Sequence, residues 1–243
     1  MEITAPGIIL AVRPFGEGDA VAAVFTEAHG IYRGLARGAQ TRGKAALWQP
    51  GNLVEMRWVA RLADQLGNIS GDMVHPAAAL AMDDPWSLAI LTAICAVADG
   101  ALPERQPYPP VLRGLLHVIA HLADSVALLP EVIRWELGVL RELGFGLDLS
   151  ECAVTGTRAH LAYVSPRTGR AVCAEAAGLW KERLMVLPDF LTAGGAGDIA
   201  QWADGLKLTG RFLARDAFGG QNKPLPEARA RLELKSWEAA RAV

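Results

Sequence analysis

Cys152 and Cys173 bracket the stretch "CAVTGTRAHLAYVSPRTGRAVC", and each stands where the first half of a C-x-x-C knuckle would stand. Two complete knuckles would supply the four thiolates of a tetrahedral structural zinc site. Thr155 and Ala176 occupy the two partner positions, and His160 is the nearest side chain that could serve as a third ligand. Two thiolates and one imidazole do not close a structural site, so the spacing predicts a hairpin without a bound metal. The third thiol, Cys95, lies inside the apolar run "WSLAILTAICAVA" and reads as a small buried hydrophobe. No G-x-S-x-G, H-E-x-x-H, phosphate-binding loop or G-x-G-x-x-G is present, and the glycines of "RPFGEGD" have the wrong spacing for a phosphate cradle. His117 and His121 lie four apart with no third ligand near in sequence, which fits surface or core histidines. The expectation is a protein with no catalytic residues and no cofactor.

Charge gives a second lead. The net charge is −2, but between Ala28 and Val54 the chain holds Arg33, Arg37, Arg42 and Lys44 and no acid. A local basic loop attracts phosphates even when the whole chain is slightly acidic. The alternative is an ordinary solvated loop.

The elements that would position these residues change character along the chain. "GIILAVRPF", "DAVAAVFTE", "GIYRGLARGA", "NLVEMRWVA" and "DQLGNISGD" are β-rich or alternating runs separated by turn residues. Five short strands in so compact a segment predict a small barrel, either an OB-fold or an SH3-like one. From "WSLAILTAICAVADGAL" onward the period becomes helical, through "PPVLRGLLHVIAHLADS" and "PEVIRWELGVLRELG". "LAYVSPRTGRAVC" is a hairpin with its turn at Pro166 to Gly169. "AEAAGLWKERLMVLPDFL", "DIAQWADGLKLTGRFLARDAF" and "PEARARLELKSWEAARAV" resume the helical pattern. The fold class is therefore α+β: a barrel over residues 1–78 and a mostly helical domain over 79–243, with the hairpin of 152–176 inserted in it. At 243 residues, 51% hydrophobic and 21% charged, with few cysteines, no basic leader and no apolar run of spanning length, the composition predicts a soluble cytoplasmic protein.

Taken together, "RPFGEGDAVAAVFTEAHG", "WQPGN", "WELGVLRELGFGLDLSECAVTG", "SPRTGRAV" and "LTGRFLARDAF" resemble the bacterial recombination mediators of the RecO family, in order, from about residue 8 to about residue 232. The resemblance is closest to members that have lost the zinc. It implies an N-terminal OB-fold and a helical C-terminal domain, with Cys152 and Cys173 as remnants of a four-cysteine finger. It implies binding of single- and double-stranded DNA, annealing of complementary strands, and engagement of the C-terminal tail of single-stranded DNA-binding protein (SSB). It further implies work with RecR, in some settings with RecF, that loads RecA onto SSB-coated DNA, at the nucleoid and not at a membrane. On this reading DNA lies on the barrel, at Arg33, Arg37, Arg42 and Lys44, with Arg57 and Arg61 as weaker contributors. Trp48 and Trp58 are either stacking platforms or barrel core. The SSB tail would use Arg134, Gly138 and Arg141, which share one helical face, and the resemblance adds Arg211. The alternative is an OB-fold RNA-binding module with a helical interaction domain.

Overall fold

The computed structural model describes residues 1–62 and 65–242. They form two compact units, Met1–Val126 and the segment from Ala127 onward. The first is built on five strands: β1 (Glu2–Phe15), β2 (Asp19–Thr26), β3 (Gly30–Ala36), β4 (Leu53–Val59) and β5 (Asn68–His75). Their order, β1-β2-β3-β5-β4 with β4 returning to β1, closes a barrel and makes it an OB-fold and not an SH3-like one. β1 exceeds the expected run because it serves two neighbours, pairing with β4 from Glu2 to Ile8 and with β2 from Gly7 to Phe15. A register shift between Ile9 and Ala11 gives the strand the bend that this double duty requires. The run expected as the fifth strand begins at Asp64, which with Ala63 lies outside the described residues.

Alternation decides which side chains fill the barrel. Along β4, Val54, Met56 and Trp58 are buried while Glu55 and Arg57 face outward. Trp58 is wholly inside, so it is core and not a platform for bases. Its indole N–H is shared between the carbonyls of Arg33 on β3 and Leu66 just before β5, at 3.0 and 2.9 Å. Those two segments meet at the weakest seam of the barrel, where β3 and β5 run parallel with a single register pair, Leu35 and Asn68. The large ring needs close approach on both sides. A Cβ on Gly34 would lie 3.1 Å from the ring and 2.8 Å from the Cβ of Ile69. One on Gly67, which has a φ of +67°, would lie 2.7 Å from the ring.

Three helices complete this unit: α1 (Ala77–Ala81), α2 (Pro85–Ala101) and α3 (Pro109–Ala120). Asp84 caps α2 by accepting from the backbone N–H and the hydroxyl of Ser87, both at 2.7 Å. α2 lies against β1, and there the buried Cys95 has its thiol pushed up to about 12, first by burial and then by Asp99. Among the described residues no single helix is long and apolar enough to cross a membrane.

The second unit contains α4 (Leu129–Glu142), β6 (Leu161–Val164), β7 (Ala171–Cys173), α5 (Ala174–Ala177), β8 (Met185–Val186), α6 (Ile199–Phe212) and α7 (Glu227–Arg241). The hairpin forms as expected, its turn over Pro166–Gly169, and β8 adds a third strand beside β6. The continuous helix expected over "AEAAGLWKERLMVLPDFL" does not form. α5 stops after one turn at Gly178, whose φ of 45° leaves the helical region, and the chain turns back to supply β8. The helices are held together by a buried charge. Arg229 of α7 and Glu136 of α4 are both fully buried and paired, and Arg229 also donates to the carbonyl of Leu206 at 2.7 Å and to the Thr209 hydroxyl at 3.1 Å on α6. Burial would strip the proton from Arg229, but Glu136 and Glu233 outweigh that and hold its pKa above the ordinary guanidinium value.

Trp58→Ala should cost about 3–5 kcal/mol in denaturant unfolding, the range for emptying a core aromatic site. Glu136→Ala, which strands a buried guanidinium, should cost about as much. The double change Glu136→Leu, Arg229→Met should recover most of that loss, because the stranded charge goes with its partner.

Candidate nucleic-acid interface

On the outer face of β3, β5 and β4, directly over the seam, lies a groove of about 450 Å³. Leu35, Val59 and Leu47 give it an apolar floor, Asn68 and Ser70 line it with polar groups, and Arg37, Lys44 and Arg57 supply cations. No acidic side chain is among its lining residues. Outward alternation places Arg57 and Val59 on β4 level with Ser70 and Asn68 on β5, because these residues are register partners.

The basic loop that forms the other wall is ordered. Gly38 N–H donates to Asp19 Oδ1 at 2.7 Å, and Lys44 and Ala45 bond back to the carbonyl of Thr41, each at 2.9 Å. Leu47 and Trp48 then anchor it. Trp48 is buried in the barrel cluster, so it too is core, although it contributes to the groove wall. Asn52 fixes the far end: its side chain donates to the carbonyls of Ala46 and Leu47, at 2.9 and 3.0 Å, and accepts from the N–H of Ala78.

The cations divide by what they already hold. Arg37 donates to Asn68 Oδ1 at 3.3 Å, and Lys44 to the Arg37 carbonyl at 3.2 Å, and neither has a carboxylate partner among the described residues. Arg57 pairs with Glu2 at 2.7 Å, but both side chains are more than half exposed. Such a solvent-screened pair holds weakly, and a phosphate can displace it. Arg42 and Arg61 are exposed and do not line the groove. Arg33 is committed elsewhere, bonded to Asp99 at 2.7 Å and Glu104 at 2.6 Å with only 21% of its side chain exposed. Burial works against its charge, and the two carboxylates more than restore it.

In the second unit, Arg134, Gly138 and Arg141 lie along α4 with the expected spacing. A Cβ on Gly138 would meet nothing within 4 Å, so the glycine leaves open space there. Arg134 is half-exposed and oriented: it pairs with Glu131 at 2.5 Å, donates to the carbonyls of Phe190 and Gly195, both at 3.3 Å, and lies 5.4 Å above the Phe190 ring. Arg211 stands in other surroundings, beside Pro166, Arg167 and Arg215. Arg134 and Arg211 share none of these partners.

The fold is thus that of the OB-fold proteins, a closed barrel with a polycationic groove, followed in sequence by a helical unit. Comparison with known families is specific. Residues 1–77 match the family described as recombination protein O N terminal, and residues 82–224 match recombination protein O C terminal. The chain is 53% identical over 235 residues to the DNA repair protein RecO of Granulibacter bethesdensis, covering 96% of this chain and 94% of that one. It is 53% identical over 233 residues to the DNA repair protein RecO of Acidiphilium cryptum, covering 94% and 93%. The corresponding protein of Gluconacetobacter diazotrophicus is 50% identical over 242 residues, covering 96% and 94%. The chain belongs to the RecO family.

The cysteine-flanked hairpin can be tested for the metal that the resemblance implies for some members. Cys152 and Cys173 are both buried and adjacent, the N–H of Cys173 donating to Cys152 Sγ at 3.2 Å. Thr155 Oγ1 lies 3.6 Å from Cys173 Sγ, in the place of a missing thiolate. Burial pushes the Cys152 thiol up, but hydrogen bonds from Thr155 and from the N–H groups of Cys173 and Val154 outweigh it and bring the pKa to about 6. Among the described residues no three His, Cys, Asp or Glu side chains are grouped to hold a metal. The donor set does not fit tetrahedral zinc. Elemental analysis of purified protein should find well under one zinc per chain, and chelator should leave its unfolding transition unmoved, whereas a structural zinc would contribute to folding directly.

Proposed function

We propose that this chain is a recombination mediator in DNA repair that binds nucleic acid without sequence preference along the groove of its barrel. The observation that carries this reading is the groove itself: Arg37, Lys44 and Arg57 around an apolar floor, with no acid among the lining residues. Guanidinium and ammonium groups contact phosphates, which are the same in every sequence, while the apolar floor accepts the faces of unstacked bases. Its family membership supports a role in repair and recombination, on single- and double-stranded DNA, with annealing of complementary strands. The face of α4 that carries Arg134, Gly138 and Arg141 suits the acidic C-terminal tail of SSB, since a guanidinium held by two carbonyls above Phe190 offers a charged partner beside an aromatic surface. Through that contact, and with RecR and in some settings RecF, the protein would help RecA onto SSB-coated strands. No covalent chemistry is assigned to it.

Replacing Arg37, Lys44 and Arg57 together by Ala should weaken binding of single-stranded oligonucleotides of every sequence by a similar factor. The log–log salt dependence should also become shallower, by about 0.7 for each phosphate of a single strand that the variant no longer neutralises. A wild-type affinity and slope would move the binding site off the groove. Separately, Arg134→Ala should weaken binding of an SSB tail peptide about ten- to a hundredfold, from the ~1.5–3 kcal/mol of a charge-assisted hydrogen bond. Bare-strand annealing should stay at its wild-type rate in that variant, and the rate on SSB-coated strands should fall. Equal peptide affinity by calorimetry would exclude α4 as the receptor. If the protein anneals RNA strands but not SSB-coated DNA, the RNA-module alternative is the better account.

A further inference from the structure

The tip of the hairpin carries cations that the barrel groove does not use. Arg215, in the π-helical turn that continues α6, is fully engaged. It holds both carboxylate oxygens of Asp216 at 2.7 Å, donates to the carbonyls of Pro166 at 2.5 Å and Arg167 at 3.1 Å, and lies 4.7 Å above the Phe212 ring. One guanidinium thus fastens the β6–β7 turn to the end of α6. The fastening holds Arg167, on the turn, and Arg211, in the last turn of α6, around a common depression of about 410 Å³. Its lining is Pro166, Arg167, Arg211 and Arg215. Arg215 is neutralised by Asp216. The side chains of Arg167 and Arg211 are exposed and, among the described residues, have no ion pair or hydrogen bond.

We infer that this depression is a second nucleic-acid site, in which Arg167 and Arg211 grip the sugar–phosphate backbone of a strand. Two uncompensated guanidinium groups facing one depression repel each other until an anion lies between them, and the planar fork of arginine matches phosphate oxygens in pairs. The chemistry of the lining selects the ligand. An acidic peptide with an aromatic terminus needs an apolar slot, and only Pro166 is apolar here, whereas a phosphodiester backbone needs only cations. The inference rests on the reading of the chain as a nucleic-acid-binding protein and adds to it that each unit carries its own strand contact. A protein that pairs two strands has use for two.

The test is fluorescence anisotropy with a labelled single-stranded homopolymer, at several salt concentrations. It compares wild type, Arg167→Ala/Arg211→Ala, Arg167→Lys/Arg211→Lys, and Arg37→Ala/Lys44→Ala/Arg57→Ala. Both hairpin-site side chains are exposed, so the fold should survive their loss, and Arg211→Glu alone provides a variant with the turn untouched. The expected result for the double alanine variant is about tenfold weaker binding and a log–log salt slope shallower by about one unit, with the slope restored in the lysine variant and the largest loss in Arg211→Glu. If the double alanine variant and Arg211→Glu both keep wild-type affinity and slope while the barrel variant loses them, the second site does not exist and the barrel reading stands. If only the hairpin-site variants lose affinity, the second site stands and the barrel reading falls. Loss of binding to an acidic peptide, with homopolymer binding unchanged, would overturn the inference in favour of a protein partner.

Discussion

The indole N–H of Trp58 ties the weakest seam of this barrel together from the inside. β3 and β5 share a single register pair, and beside it the N–H of Leu35 donates to the carbonyl of Gly67 at 3.0 Å and Arg37 donates to Asn68 Oδ1 at 3.3 Å. The indole reaches across the interior to a carbonyl on each side of that seam, and its ring fills the space that Gly34 and Gly67 leave open. Leu35 and Arg37 lie on one side of the seam, and Asn68, Ser70, Arg57 and Val59 on the other. The indole therefore adds an interior tie to the bonds that join these two edges at the surface. Together they form one groove, and a strand bound there would not carry the ordering cost that a flexible loop would impose.

The second unit is organised by the opposite use of charge. Arg229 and Glu136 are buried where water cannot reach them, and removing either partner leaves an ion that the interior cannot solvate. Among the described residues Arg37, Lys44, Arg167 and Arg211 have no carboxylate partner, and they stand at the surface, open to an anion. Arg33 and Arg215 fall between, paired with acids and spent on holding elements in place. Residue type does not distinguish these roles. Burial and partner do.

Much of the architecture is legible in the sequence because it is written in local periods. The alternation of Val54, Met56 and Trp58 marks β4, Val132, Trp135, Val139 and Leu140 mark the buried face of α4, and "SPRTG" marks the hairpin turn. What is not legible depends on residues far apart in sequence. Arg33 belongs to the same acid-free stretch as Arg37 and Lys44 and looks like them until the fold puts it on β3 with Asp99 and Glu104 against it. The resemblance groups Arg211 with Arg134, and only the fold shows that Arg167 and Arg215 also stand beside it. Nothing in "PEARARLEL" distinguishes the buried Arg229 from the exposed Arg231 two residues on. The helical pattern of "AEAAGLWKERLMV" misleads because a glycine at positive φ outweighs a short run of good helix formers. One weak signal exists for the groove: a stretch with four cations and no acid, ending in the buried Trp48 and Asn52 that fix it to the barrel.

Whether strands lie over the β3–β5 seam is tested most directly by amide hydrogen exchange on the wild-type chain, with and without a single-stranded homopolymer. Exchange should slow at the amides of Thr41 to Trp48 and of Asn68 to Gly71, which form the two walls of the groove, with the β1–β2 hairpin tip around Gly16 to Gly18 unchanged. Protection of that tip, or of other parts of the barrel, with both groove walls unaffected would contradict a strand on the seam.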